Sequence, residues 1–423
     1  MGWGFFAALR MNPPAHDPYA ALRVGNFRAL LVSVFTMTVA TQIQVVVVGW
    51  QIYQQTHDPL SLGLVGLAEA VPFIAVALFA GDAADRVSRQ RLALFSFLTL
   101  LACSLTLLAF TLTPGLIAKG RVWPIYLVIF VSGIARSFYR PASVALGAEL
   151  VHRDLYPNAV AWRTSLWQAA AVIGPGVGGL LYGFAGVTSA YAVDALLMGV
   201  AIVALSRIRH ESSLFHTERI PMRDSLTSGI RFLRGKPVML GAMSLDLFSV
   251  LFGGAVAILP VFAEDILHVG PQGLGLLRAA PAAGSVLMSV ALAHRRPFEK
   301  AGRTLLWSVA IFGVCIIGFG LSTNVYLSAL MLALGGGADN ISVVIRSTLL
   351  QTMTPPHLLG RVAAVNSVFI GSSNEIGAFE SGVAARLMGT VPSVLFGGAM
   401  TLAVVVTTAL MVPSLRRLRR IGE

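Results

Sequence analysis

Uninterrupted apolar runs of about twenty residues decide most of what this chain can become. A helix rises about 1.5 Å per residue, so each run can cross the roughly 30 Å of a bilayer's hydrocarbon. Within lipid the backbone meets no water, and a lone spanning segment has to satisfy its own N–H and C=O groups by coiling into a helix. Twelve segments are predicted, at about 27–53, 61–81, 91–113, 123–147, 158–182, 188–206, 238–262, 271–293, 303–322, 325–350, 360–388 and 391–412. The expected fold class is all-α and integral to a membrane.

The balance of residues agrees. A chain that is 56% hydrophobic and 12% charged, with a mean hydropathy of +0.77, has too little charge to cover a soluble surface. A net charge of +12 raises the question of a nucleic-acid partner, and the placement of the 31 Lys and Arg residues answers it. With the N-terminus taken as cytoplasmic, 23 fall on the cytoplasmic side, four of them at the cytoplasmic ends of segments, two (Lys119 and Arg121) fall outside, and the other six (Arg136, Arg140, Arg163, Arg278, Arg346 and Arg386) lie within predicted segments. This is the positive-inside bias, and it predicts that both termini are cytoplasmic. The positive charge then addresses anionic lipid headgroups, and no nucleic-acid partner is expected. Cys103 and Cys315 each sit in an apolar run, so neither a disulfide framework nor a metal site is expected. The stretch 1–11 carries only a short apolar piece without a small-residue cleavage site, and it is not read as a signal peptide.

The longest connection, 207–237, is polar and basic and divides the segments six and six. The predicted organisation is a cytoplasmic segment at 1–25, a six-helix bundle at 26–206, a cytoplasmic linker at 207–237, a second six-helix bundle at 238–412 and a basic tail at 413–423. Sliding the second half over the first by 203 positions matches Ala135 with Ala338, Gly174 with Gly377, Gly179 with Gly382 and Gly186 with Gly389. Such parallel duplication is common in transporters that bind cargo near the bilayer midplane.

Between the second and third segments runs a charged turn, 81–91, with Gly81, Asp85, Arg86, Arg89 and Arg91. Glycine permits a close approach or a sharp turn, an aspartate suits a helix N-terminus, and the arginines mark the cytoplasmic side. This Gly-x-x-x-Asp-Arg-x-x-Arg-x-Arg pattern resembles motif A of the major facilitator superfamily of transporters. In the fifth segment, Gly174, Pro175, Gly178 and Gly179 allow close packing and a bend, and they resemble the Gly-Pro-x-x-Gly-Gly end of motif C. The upstream glycines of that motif are missing, with Ala170 where one would stand. Asn26-Phe27-Arg28, Gly49-Trp50-Gln51-Ile52-Tyr53, Pro157-Asn158-Ala159-Val160 and Gly360-Arg361-Val362 are similar to the enterobactin-exporter and macrolide-efflux-like branch. The resemblance implies the major facilitator fold, alternating access, a monomer and no cofactor. It places segments 1, 2, 4, 5, 7, 8, 10 and 11 around a central cavity, and it puts Asp85 beside the start of segment 11, near Gly360 and Arg361.

A charge at the bilayer centre costs at least about 2.5 to 3.5 kcal/mol, so each one is expected to face a cavity or a partner. The candidates are Glu69, Arg136, Arg140, Arg163, Asp194, Asp246, Arg278, Asp339, Arg346, Glu375 and Glu380. Gln42, Gln44, Arg136, Arg140, Asp339, Asn366 and Asn374 are the expected substrate-cavity residues. Arg136 and Arg140 share a helix face, as do Asn366 and Asn374. The offset of 203 sets Arg136 opposite Asp339, which leaves two possibilities: a pair across the cavity, or pairing of each within its own half. Trp50 and Tyr53 read as an interfacial aromatic belt.

No phosphate-binding loop, His-Glu-x-x-His or Gly-x-Ser-x-Gly element is present, so the sequence offers no catalytic constellation and no direct use of ATP. The energy then has to come from a gradient, most simply of protons, with Glu69, Asp246, Asp339 and Glu375 as candidate carriers. The resemblance implies proton-coupled export of an amphipathic small molecule such as a siderophore or a drug. An importer or a lysophospholipid flippase on the same fold is the alternative, and a non-transporting membrane receptor or enzyme is the alternative from another class.

Overall fold

The structure, a computed structural model, describes residues 17–113, 121–209, 222–295, 298–355 and 358–419, and among these it is helical without a strand. After a 3₁₀ turn at Ala20–Arg23 the helices are α1 (Gly25–Thr56), α2 (Pro59–Arg86), α3 (Arg89–Leu112), α4 (Trp123–Glu149), α5 (Tyr156–Ser206), α6 (Met222–Arg234) and α7 (Pro237–Gly253). They continue as the short α8 (Leu259–Val261), then α9 (Gly270–Ala293), α10 (Ala301–Leu321), α11 (Val325–Met353), α12 (Leu359–Met388), α13 (Thr390–Met411) and the short α14 (Pro413–Arg417). Nine of the described helices are long and apolar enough to cross a membrane. α4 and α12 are not among the nine. Arg136 and Arg140 dilute the first, and Asn366, Asn374, Glu375 and Glu380 the second. The protein is a multi-pass membrane protein with an all-α fold.

Four local features depart from the sequence reading. The turn expected at 81–91 shrinks to two residues, because α2 stays helical through Arg86 and α3 begins at Arg89. Predicted segments five and six are two helices within the range given for α5, and the connection expected between them shrinks to Gly186, which adopts φ 80°, a conformation that glycine reaches without a Cβ clash. The seventh segment does not run straight to 262. It stops at Gly253, and the chain continues through a 3₁₀ turn at Ala255–Ile258 and a π turn at Phe262–Ile266. Gly254 interrupts the helix there, and Pro260 supplies no N–H to rebuild it. The linker, expected as a plain connection, contains α6, whose Leu233 packs with Met239, Met243, Val362 and Val365.

The helices pack as two groups. α1 lies against α5, α2 against α4, and α3 against α4 and α5; in the second half, α9 lies against α11, α10 against α11 and α13, and α7 against α12 and α13. Two seams join the groups, α2 with α12 and α5 with α9. The apolar cores show the consequence. At one end a single core runs through both groups, from Ile43, Trp50 and Ile52 to Phe262, Phe319 and Val394. At the other end the cores are separate, with Phe27, Leu30, Phe97 and Leu146 in one and Leu305, Ile345, Leu349 and Leu415 in the other. The molecule is therefore joined at the end where α1 finishes and α2 begins.

Candidate functional site

Between the two groups lies a cavity of about 480 Å³, a volume suited to a drug-sized molecule. Its walls are mainly apolar, with a few polar side chains directed inward. Gln42, Gln44, Glu69, Arg136, Asp339 and Asn374 line it, and so do Arg278 and Glu375. Arg140 and Asn366, expected there from their helix faces, are not among the lining residues. Arg140 lies over the Phe73 ring, with its guanidinium carbon 5.8 Å from the centroid, and its place is taken by that cation–π contact.

Small residues set the charged side chains. A Cβ on Gly133 would lie 2.9 Å from the Glu69 carbonyl and 2.9 Å from Pro72 Cγ, so glycine lets α4 press against α2. One turn further along α4, Arg136 meets Glu69 in an ion pair that also donates an Nη1–H to the carboxylate. Across the seam, a Cβ on Gly66 would lie 2.8 Å from Ala378 Cβ and 3.3 Å from the Glu375 carbonyl. That approach sets Glu375 of α12 within electrostatic reach of both Glu69 and Arg136.

Of the two arrangements open to Arg136 and Asp339, the pair across the cavity is not formed. Arg136 is held by Glu69 of its own half. Asp246, one of the candidate carriers, pairs with Arg346 at 2.7 Å, and Arg346 Nε donates to Ser342 Oγ at 3.2 Å. Both side chains of that pair are only 8% exposed, and Asp339 lies in the field of the same guanidinium. Identity at matching positions gave the offset, but neighbours on adjacent helices supply a shorter path for the counter-charge. Asp194 is fully buried in α5 and lies away from the cavity.

The joined end is built from close backbone contacts. On the α2/α12 seam, a Cβ on Gly382 would lie 2.8 Å from Gly63 Cα, and Arg386 pairs with Asp58 at 3.3 Å. On the α5/α9 seam, a Cβ on Gly179 would lie 2.4 Å from the Pro271 carbonyl, and one on Gly275 would lie 2.7 Å from the Pro175 carbonyl. The motif C-like stretch thus serves two faces. Gly179 and Pro175 meet α9, while Gly174 and Gly178 let α1 approach, with Gln42 Cβ 2.5 Å and Ile43 Cα 3.0 Å from their would-be Cβ atoms. Trp50 and Tyr53 are not an interfacial belt. Both are buried, Trp50 edge-on to Tyr182, and the Tyr53 hydroxyl donates to Asp265 in the π turn. Nothing local in the sequence pointed to Asp265, which sits in a connection, and the contact exists only because the two halves meet there.

At the opposite end, Arg89 pairs with Glu149 and Arg91 is exposed. The side chains of Gly81, Asp85 and Arg86 lie outside the described residues, and so does the expected approach of Asp85 to α12. Arg361, expected to meet Asp85, donates from Nη1 to Ser228 Oγ of α6 at 3.2 Å.

Two helix groups around a charged, single-ended cavity define a membrane transporter of the major facilitator fold. Solved structures share that fold at low identity. The nucleoside transporter NupG superposes with a TM-score of 0.72 at 12% identity, covering 91% of this chain and 99% of that one. A bacterial homologue of the human lysosomal transporter Spinster gives 0.69 at 14%, covering 95% and 97%. A family model described as "Transmembrane secretion effector" matches residues 16–420, and the chain belongs to that family of the major facilitator superfamily. Among curated proteins it is 27% identical over 395 residues to the enterobactin exporter EntS of Shigella flexneri, with 93% of each chain covered. The EntS of Escherichia coli O1:K1 is similar to the same degree.

Proposed function

We propose that this transporter exports an amphipathic small molecule across a bacterial inner membrane by alternating access, driven by protons. The observation that carries the reading is Glu375. It is a carboxyl group on one bundle, set at the seam beside the Glu69 and Arg136 pair of the other. Glu69 and Glu375 share the field of Arg136, with Arg140 also acting on Glu375, and two carboxylates set this close repel each other until one takes a proton. A proton on Glu375 therefore favours approach of α12 to α2, and its loss favours their separation. The bundles that move are those of 26–206 and 238–412, with 207–237 as the tether. The positive-inside bias puts both termini in the cytoplasm, so the joined end is the outer one and the structure is inward-facing. Relatives named as enterobactin exporters support outward transport and a siderophore-like cargo.

Everted membrane vesicles with an acid interior test this reading, with enterobactin and a macrolide as probes. Accumulation that collapses with the pH gradient is expected, and uptake indifferent to the gradient overturns proton coupling. Orientation is checked with a cysteine at Ser213 in the linker, which is expected to resist a membrane-impermeant label in intact cells and to react after everting the membrane.

A further inference from the structure

Among the arginines inside the helix groups, Arg278 is the one that reaches the cavity without a counter-charge. Arg136 pairs with Glu69, Arg346 with Asp246 and Arg386 with Asp58, while Arg140 rests on Phe73. No ion pair or hydrogen bond to Arg278 occurs among the described residues, and its Nε is buried without a partner. Its position is equally particular. Arg278 lies one turn from Gly275, whose Cβ would stand 3.1 Å from Gly179 Cα, so it sits directly beneath the seam that closes the outer end. On its other side a Cβ on Gly49 of α1 would lie 3.8 Å from Arg278 Nη2. Val45, Val48 and Ala257 are among the apolar residues lining the same cavity.

The charges of the cavity are unequal in what they can do. Asp339 and Glu375 can meet burial by taking a proton, whereas a guanidinium stays charged at any working pH. Glu69 already serves Arg136. With both free carboxyl groups protonated, one uncompensated charge remains in the cavity, and it is the cation at the closed end.

We infer that Arg278 anchors an anionic group of the cargo, and that the cargo class is an organic anion bearing a carboxylate or sulfonate on an apolar body. The inference rests on the reading of this cavity as the cargo site. Two oxygens of the anion accept hydrogen bonds from the guanidinium fork, and the body lies against the apolar walls toward the open end. Cargo thus completes the unsatisfied side chain nearest to the contact that has to open for release.

Purified protein tests this by calorimetry with three probes of one skeleton: naphthalene-2-sulfonate, 2-naphthylmethanol and 2-naphthylmethylammonium. The sulfonate is expected to bind tightest. Arg278→Gln is expected to weaken it by about ten- to a hundredfold, the scale of charge-assisted hydrogen bonds, with the alcohol unchanged. Arg278→Lys, which keeps the charge and loses the fork, is expected to fall between. A measurement without substitution keeps the test independent of folding: phenylglyoxal labelling of Arg278, read by mass spectrometry, is expected to be blocked by the sulfonate and not by the ammonium. Preference of the native protein for the ammonium or the alcohol, full sulfonate binding by Arg278→Gln, or unprotected labelling overturns the inference. Vesicle transport that persists while the sulfonate preference survives in Arg278→Gln sinks this inference alone. Sulfonate binding at Arg278 without transport of any probe sinks the export reading instead.

Discussion

The two seams that hold the bundles together are made of different materials. Along α5 and α9 the contact is backbone on backbone, Gly179 against Gly275, with Pro175 and Pro271 contributing carbonyls and no ion pair crossing the seam among the described residues. Along α2 and α12 the glycines Gly63, Gly66 and Gly382 again permit approach, but charges flank them: Asp58 with Arg386 at the joined end, and Glu69, Arg136 and Glu375 deeper in. A seam of glycines answers only to shape, because dispersion falls off over fractions of an ångström. A seam with carboxyl groups also answers to protons. The first therefore suits a pivot and the second a trigger, and the difference can be broken experimentally.

The largest effect is expected at the uncharged seam. Gly179→Val forces a side chain to within about 3 Å of the α9 backbone, and overpacking of that kind costs about 1 to 3 kcal/mol. A balanced conformational equilibrium then shifts by roughly tenfold or more toward the outward-open state. Transport is expected to be nearly lost at every pH, with outer-end cysteine accessibility raised; normal accessibility removes the pivot from the comparison. Next comes Glu375→Gln, which mimics the protonated carboxyl. The expected result is retained binding of cargo and transport that no longer follows the pH gradient, measured in the same vesicles. A gradient dependence equal to that of the native protein would transfer the trigger to another carboxylate.

The next expected effect is a loss of stability in Arg136→Gln, which strands Glu69. Removing one partner of a buried pair costs about 3 to 5 kcal/mol, and the partial exposure of this pair places the loss at or below the lower end. Thermal unfolding measures it, and the Glu69→Gln, Arg136→Gln double variant is expected to regain part of the loss. The smallest effect belongs to Arg386→Ala. Its side chain is 57% exposed, and exposed pairs contribute about 0.2 to 1 kcal/mol. A loss well above that would show the outer pair to be a true latch, bringing the charged seam closer to a mechanical one.

The apolar runs made the all-α membrane fold legible, since only helices of that length can hide their backbone in lipid. Polar residues inside those runs marked positions such as Gln42, Arg136 and Asp339 that line the cavity. Their partners were not legible. Arg136 finds Glu69 because Gly133 brings two helices together, and Asp246 finds Arg346 from a helix about a hundred positions away. Such choices depend on helix rotation and interaxial distance, which one-dimensional spacing does not encode.

The sequence by itself therefore determined the solvent in which this protein lives, its helical content, its superfamily and the set of charges it has to accommodate. Only the tertiary structure decided which of those charges cancel, and that Arg278 lies beneath the α5/α9 seam with no ion pair among the described residues. The physical reason is range. Burying apolar surface in lipid is a property of each segment on its own, whereas a counter-charge within about 4 Å exists only once separate helices have packed.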